Sequence, residues 1–327
     1  MLFLPFPSPF KSEITHAMRF FTPKERTIAT IGSAGHGKSI FLAGLFWDSF
    51  FALSRTFQDG TQPYVVRALN EEASKLFYGN AKLLYDLKLP PANPRGKPEP
   101  AILEFKGIPH ANSQRRRSTR LVFYDVAGEV FDDDRKTREY APYVANAHDL
   151  IFLFDPTLLE VNALWWSELG DRIYRAANGD KKKNIIIALT KMDELRHHDD
   201  WWAQTINEHW PDATPTHSQL ALYLERMDSL SATLRGWWTA EDRRGNNFIN
   251  SVLETWPTTR FCALSSLGHQ PVWDCPQCNI AIPSSLQVCG QCHTARTNDL
   301  SLRLTREPDP FRVRDPLFWI FRAAGVM

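Results

Sequence analysis

The chain has 327 residues, 43% of them hydrophobic and 23% charged, with a formal net charge of +1. That length can bury a sizeable core in one large domain or two small ones. The composition is that of a soluble globular protein, and the near-neutral charge argues against nucleic acid or an anionic membrane as the main partner.

The opening run, Met1 to Phe10, is apolar but short and broken by Pro5, Pro7 and Pro9. It lacks a basic leader and a cleavage-site pattern, so it reads as neither a signal peptide nor a spanning helix. Residues 1–24 are therefore expected to form an arm docked on its own domain, with docking on a partner or a membrane surface as the lesser alternative. With no other long apolar run, a cytoplasmic location is expected.

The run Thr27-Ile28-Ala29-Thr30-Ile31 reads as a buried strand, and Ile40 to Trp47 reads as a helix. Between them lies Gly32-Ser33-Ala34-Gly35-His36-Gly37-Lys38-Ser39, a G-x-x-x-x-G-K-S phosphate-loop pattern in its proper strand–loop–helix setting. The glycines let successive N–H groups point inward at phosphate oxygens, and the helix N-terminus adds partial positive charge there. Lys38 can reach the outer phosphates, the Ser39 hydroxyl can hold Mg²⁺, and Ile40 opens the helix beside them.

Residues from about Ser54 to Leu89 are expected to be helical in part, with Leu69, Ala73, Leu76 and Phe77 at helical spacing. Leu89 to Pro100 is too rich in proline for helix or sheet interior and reads as an extended surface loop. Ala101 to Lys106 and Arg120 to Asp125 read as two strands of a hairpin at one sheet edge, joined by a polar connection carrying Arg115-Arg116-Arg117. Asp149 to Asp155 and Asn184 to Thr190 are unbroken apolar strands, which implies burial on both faces and a mainly parallel sheet covered by helices. Trp165 to Ala177 is a helix between them. Leu195 to Thr258 is a Trp-rich helical insertion, Arg260 to Leu264 the last strand, and Asp315 to Arg322 a closing helix with proline in its first turn. The tryptophan pairs Trp165-Trp166, Trp201-Trp202 and Trp237-Trp238 are expected mostly as packing anchors. The fold class is α/β, a doubly wound, mostly parallel sheet, with inserts at about 52–100 and 196–258.

Two further motifs stand at strand ends. In Asp125-Val126-Ala127-Gly128 the carboxylate can hold Mg²⁺ through water, and the Gly128 N–H can meet a γ-phosphate. Thr190-Lys191-Met192-Asp193 matches a guanine-recognition pattern: Asp193 can accept from the base N1–H and exocyclic amine, while the Lys191 stem lies over the base. Ser265-Ser266-Leu267, after the last strand, loosely fits a segment that backs the base.

Together these residues resemble the Ras-like or TRAFAC-type P-loop GTPases from about Glu25 to Leu267, with the closing helix at 301–327 added. The resemblance implies a GTP/GDP switch in which γ-phosphate contacts order two segments. The long inserts and proline-rich first switch look like the bacterial double-GTPase group, associated with signalling or conflict systems. Three departures bear on hydrolysis. The proline-rich segment contains no threonine to coordinate Mg²⁺, only Asn93, with Thr56 and Thr61 far upstream. Glu129 stands where many relatives use glutamine to orient water; a carboxylate can do so, but phosphate repulsion favours a surface charge. Ala34 puts a methyl where some relatives keep glycine, near the path of an arginine finger. Arg115 to Arg117 could supply such a finger or bind an acidic partner, although a solvated loop is the commoner fate of a charge run. Asp132-Asp133-Asp134 is expected as a solvated or helix-capping cluster.

Cys275-Pro276-Gln277-Cys278 and Cys289-Gly290-Gln291-Cys292 form two C-x-x-C knuckles at zinc-ribbon spacing within 268–300. Four thiolates fill a tetrahedral shell, so the expected Zn²⁺ is structural, with the ribbon a docking knob for a protein partner or a brace. Cys262 lies in a strand and, like His293, is not expected as a ligand. The sequence thus points to a slow, Mg²⁺-dependent GTPase acting through a protein effector or activator, with Lys38 and Glu129 as candidate catalytic residues. A non-hydrolysing GTP-binding assembly module is the alternative, and an ATP-using enzyme is disfavoured by Asp193.

Overall fold

A computed structural model describes residues 24–32, 37–49, 64–91, 98–110, 113–125, 127–156, 163–195, 204–205, 220–240, 246–297 and 301–327. Strand β1 (Lys24–Ile31) and helix α1 (Lys38–Trp47) flank the glycine-rich loop as expected. The chain continues through β2 (Val65–Ala68), α2 (Glu71–Ser74), a π-helical turn (Lys75–Gly79) and α3 (Asn80–Tyr85). Next come β3 (Ala101–His110), β4 (Ser113–Tyr124), a 3₁₀ turn (Gly128–Asp132), α4 (Asp134–Tyr140) and α5 (Tyr143–Asn146). Strand β5 (Asp149–Phe154), α6 (Ala163–Ala176), β6 (Asn184–Leu189) and α7 (Met192–Leu195) follow. The remainder is α8 (Leu220–Trp238), α9 (Asn246–Thr255), β7 (Arg260–Ala263), β8 (Val272–Asp274), β9 (Ala281–Pro283) and α10 (Asp315–Ala323).

Seven strands form one sheet in the order β2-β3-β4-β1-β5-β6-β7. Pairings among β4, β1, β5, β6 and β7 are all parallel, and β2–β3 and β3–β4 are antiparallel. The parallel strands alternate with period two between the two faces. Ile151, Leu153, Ile186, Ala188 and Cys262 face one core with α1 and α10. Leu150, Phe152, Phe154, Ile185, Ile187, Leu189 and Phe261 face the other, with α6 and α9. Burial of both faces is what the unbroken apolar runs required.

Three expectations need correction. The stretch read as partly helical also contains, among its described residues, a strand, β2, outside the β3–β4 hairpin, so the hairpin is not the sheet edge. Leu69 precedes the helix, because Asn70 caps it by accepting from the Ala73 N–H at 3.1 Å. The arginine run does not lie in a connection: Arg115 to Arg117 belong to β4, which extends with β3 beyond the start of β1. Arg117 lies roughly 26 Å along β4 from Asp125, at about 3.3 Å per residue, so it is no cis arginine finger.

The helices of the 196–258 stretch build the core. Leu220, Tyr223, Leu224 and Met227 of α8 enter the first core, and Leu230, Leu234 and Trp238 enter the second. The helix thereby crosses the sheet edge at β7, where the Ser231 hydroxyl accepts the edge strand's Phe261 N–H at 2.9 Å. Trp238 is fully buried, whereas Trp201-Trp202, the arm before Lys24, Thr56, Thr61 and Asn93 lie outside the described residues. No helix among the described residues is long and apolar enough to cross a membrane.

Candidate nucleotide site and four-cysteine centre

The sheet order reverses at β1, whose neighbours are β4 and β5, and a crevice at the carboxyl ends of the strands there is where open α/β sheets take ligands. Five segments leave parallel strands at that end. Gly32 and Gly37 to Ile40 follow β1, Asp125 to Glu129 follow β4, Asp155 follows β5, Thr190 to Asp193 follow β6, and Ser265 to Leu267 follow β7. The loop residues Ser33, Ala34, Gly35 and His36 lie outside the described residues, as does Val126.

At the α1 end, Gly37 has φ 82°, a left-handed conformation that glycine adopts freely, and its carbonyl accepts from Phe41 N–H at 2.7 Å. Lys38 is buried and donates from Nζ to the Gly32 carbonyl at 2.8 Å. Burial pushes its ammonium below the usual range, and the carboxylates of Asp125, Glu129 and Asp132 oppose that shift. Glu129 and Asp132 also line an open cleft of about 740 Å³ with Arg135 and Lys136. Asp133 caps α4, accepting from the Lys136 N–H at 2.7 Å, and Asp134 pairs with Arg172 and Arg175. Of the aspartate run, Asp133 thus caps a helix, Asp134 pairs with arginines and Asp132 faces the cleft.

At the other end, Lys191 adopts φ 56°, and its Nζ meets the buried Asp155 carboxylate at 2.6 Å. The Thr190 N–H donates to Phe154 O at 2.8 Å, holding the turn against β5. Asp193 accepts from the Ser265 hydroxyl, whose oxygen in turn accepts the Gly268 N–H at 2.8 Å. The Ser265 segment is fixed by paired backbone bonds to Phe311 at 3.0 and 2.8 Å. It also packs directly on α1: a Cβ on Gly44 would lie 2.4 Å from the Ser266 carbonyl oxygen. A cleft of about 200 Å³ opens between these groups, lined by Gly37, Ile40, Thr190, Lys191, Asp193 and Ser265 to Leu267. Leu89, Glu194, His269, Pro271, Ser284 and Leu302 complete it. None of this second group was singled out from the sequence. Asp155 was visible there only as the polar residue ending an apolar strand.

Burial raises the Glu194 carboxyl to about 7, with neighbouring Lys191 pulling the other way. His269 is pushed below the usual imidazole range by burial and by Arg306.

The four cysteine sulfurs of 275, 278, 289 and 292 lie within 4.8 Å of one another. A tetrahedral Zn²⁺ with arms of about 2.3 Å needs sulfur–sulfur edges of roughly 3.8 Å, which this cluster fits with small adjustments. The two knuckles repeat one backbone pattern. Asn279 N–H bonds Cys275 O at 2.8 Å and Cys275 N–H bonds Ile280 O at 2.9 Å; His293 to Cys289 and Cys289 to Thr294 repeat these at 2.9 and 2.9 Å. Asn279 and His293 both take left-handed φ values, 55° and 58°, which turns each chain back over its thiols. The Thr294 hydroxyl draws the Cys292 thiol down to about 6, while the hydrogen bond to Cys292 pushes the Cys278 thiol up, as expected of neighbouring thiols that share protons. Such a four-thiol set suits a soft metal such as zinc. Cys262, buried in β7, stands apart.

No protein-family model matches this chain, and no curated protein matches it. Among solved structures it is similar to a bacterial selenocysteine-specific elongation factor, EF-Sec, at 17% identity and TM-score 0.29, over 74% of this chain and 26% of that one. It is similar to the S. cerevisiae Ski7 GTPase-like domain bound to GTP, at 14% identity and TM-score 0.32, over 77% and 45% of the two chains. The same domain bound to GDP and inorganic phosphate gives 14% identity and TM-score 0.33, over 84% and 49%. The chain thus spans between a quarter and a half of the length of these proteins.

Proposed function

We propose that this chain is a Mg²⁺-dependent GTP-binding protein that hydrolyses GTP to GDP slowly and acts as a switch on a protein partner. The observation that carries the reading is the convergence, at the carboxyl ends of five parallel strands, of the start of α1, Asp125, the Thr190–Asp193 turn and Ser265. In this reading the amides of Gly32 to Ser39 and the Lys38 ammonium bind phosphates, and Lys38 leaves the Gly32 carbonyl to do so. Ser39 and Asp125 would hold Mg²⁺, which neutralises charge on the outer phosphates. Gly128, opening the 3₁₀ turn, senses the γ-phosphate. Asp193, oriented by Ser265, reads the guanine edge, and Lys191, anchored on Asp155, covers the base plane. Ser266 and Leu267 back the base against Ile40.

A non-hydrolysing module is the second reading. Glu129 favours it, because its carboxylate sits beside Lys38 where a neutral amide would orient water without repelling phosphate. The placement among bacterial signalling or conflict GTPases remains part of the same proposal, as does the partner.

The test is incubation of purified protein with Mg²⁺ and mixed GTP and ATP, followed by denaturation and identification of the nucleotides. Selective GDP accumulation is expected; GTP retained intact would establish the second reading, and ADP would overturn the base assignment. Asp193→Asn should shift preference from guanosine toward xanthosine nucleotides, by about 1–3 kcal/mol for the mispaired base edge. Unchanged GTP affinity in that variant would refute guanine recognition by Asp193.

A further inference from the structure

We propose that the four-cysteine ribbon is one wall of the base pocket, so that metal occupancy sets guanine-nucleotide affinity. The inference rests on the GTP reading of the cleft. Pro271 and Ser284, at the open end of the β8–β9 hairpin, line the same cleft as Lys191 and Asp193. The Ser284 N–H closes that end on Pro271 O at 2.9 Å. The first knuckle caps the other end, with Cys275 about 13 Å along the strand from Pro271 at roughly 3.3 Å per residue.

The ribbon cannot hold this wall by its own apolar packing. Its core is Trp273, Ile282 and the cysteines, with Leu302 packed against them. So small a cluster depends on its metal for folding free energy. It is also tied into the cleft by a strand-like segment, 302–304. Arg303 exchanges backbone bonds with Val272 at 2.9 Å each way and grips the Asp274 carboxylate with two bonds of 2.7 Å. Arg303 also bridges Lys88, and the Leu304 N–H donates to Leu87 O at 2.8 Å, just ahead of the proline-rich segment. Leu304 itself is buried against Ala43 and Trp47 of α1 and against Leu267. A second tie runs from the Ser285 hydroxyl to Gln270 at 3.1 Å, and Gln270 adjoins His269, which lines the cleft with Glu194. Loss of the metal frees the hairpin, and with it the wall, the Leu89 stub and the Leu302–Leu304 strap.

The experiment measures the Kd of a fluorescent GDP analogue for the full chain as purified, after chelation with released zinc quantified, and after zinc is restored. A Ser284→Trp variant, whose indole occupies much of the cleft from the ribbon side without touching a cysteine, is measured alongside with its metal content. Chelation should weaken binding by about tenfold or more, reversibly, and Ser284→Trp should weaken it similarly while keeping a full equivalent of zinc. Metal-free protein that binds within about twofold of the loaded form overturns the proposal. So does a zinc-loaded Ser284→Trp variant that binds as wild type, and this arm decides if chelation unfolds the chain. Wild-type protein that binds no guanine nucleotide would overturn the GTP reading and this inference with it, a result distinct from unaltered binding.

Discussion

Gly44→Ala should destabilise the protein, although alanine is the best helix former and Gly44 is in the interior of α1. A Cβ there would stand 2.4 Å from the Ser266 carbonyl oxygen and 2.9 Å from Ser266 Cβ. Ordinary contact begins near 3.4 Å, so α1 and the Ser265–Leu267 segment must part by about 1 Å. Forcing a methyl into such a contact costs about 1–3 kcal/mol, at the upper end when the obstacle is backbone. Helix propensity returns about 1 kcal/mol. The net expectation is a loss of about 1–2 kcal/mol. Gly236→Ala is the control, because Gly236 also sits in a helix, is exposed, and its Cβ would meet nothing within 4 Å. That variant should gain up to about 1 kcal/mol, so the two identical substitutions should differ by about 2–3 kcal/mol. Urea unfolding with unchanged slope would measure both. On the proposed GTP reading Gly44→Ala should also weaken guanine-nucleotide binding, because displacing Ser266 shifts the adjoining Ser265 that bonds Asp193, and Gly236→Ala should not. A Gly44→Ala protein as stable as the Gly236→Ala protein would refute the close approach of α1 to the Ser265–Leu267 segment.

Two further substitutions test the electrostatics. Asp315 accepts from Arg312 Nε at 2.7 Å and from the Tyr223 hydroxyl at 2.6 Å, with both partners of the ion pair essentially inaccessible. Asp315→Asn should cost about 3–5 kcal/mol by leaving a buried guanidinium without its counter-charge, and a urea-measured loss under about 1 kcal/mol would show the network to be dispensable. Glu194 is raised from 4.5 to about 7, so its contribution to stability is complete below 4.5 and is lost as pH rises through about 7. Glu194→Gln should therefore flatten the fall in stability across that window. Parallel pH profiles for wild type and variant would refute its burial.

The parallel half of the fold was legible because its strands are buried on both faces. Leu150 to Phe154 and Ile185 to Leu189 carry no polar residue, and that leaves little alternative to a central strand. The strand and helix that flank the glycine-rich stretch, the Thr190–Asp193 turn and the cysteine knuckles were legible because each needs particular residue types at fixed spacing. β2 was not: four half-exposed residues make a weak period, and the helical spacing of Ala73, Leu76 and Phe77 drew Leu69 into the helix. Asn70 was the available signal. Its side chain caps α2, accepts the Ile102 N–H at 3.0 Å and donates to Pro100 O at 2.6 Å, so one residue both starts the helix and docks it on β3.

The cleft at Asp193 was half legible for a different reason. Asp193 and Ser265 announce themselves by motif, yet their contact is made across 72 positions by a hydroxyl that also holds Gly268. Gly268 is conformationally required there: its φ is +74°, and a Cβ would fall 2.0 Å from the Asp309 carbonyl oxygen. The turn it permits sends the chain out into the ribbon, and the Phe311 pairing with Ser265 brings it back. A glycine in a polar stretch gives no hint that two strands must pass so close. The insertion that sequence spacing treats as a separate metal-binding knob is therefore rooted, at both its exit and its return, on the residue that orients Asp193. That rooting is a property of register between distant segments, which residue types at local spacing do not encode.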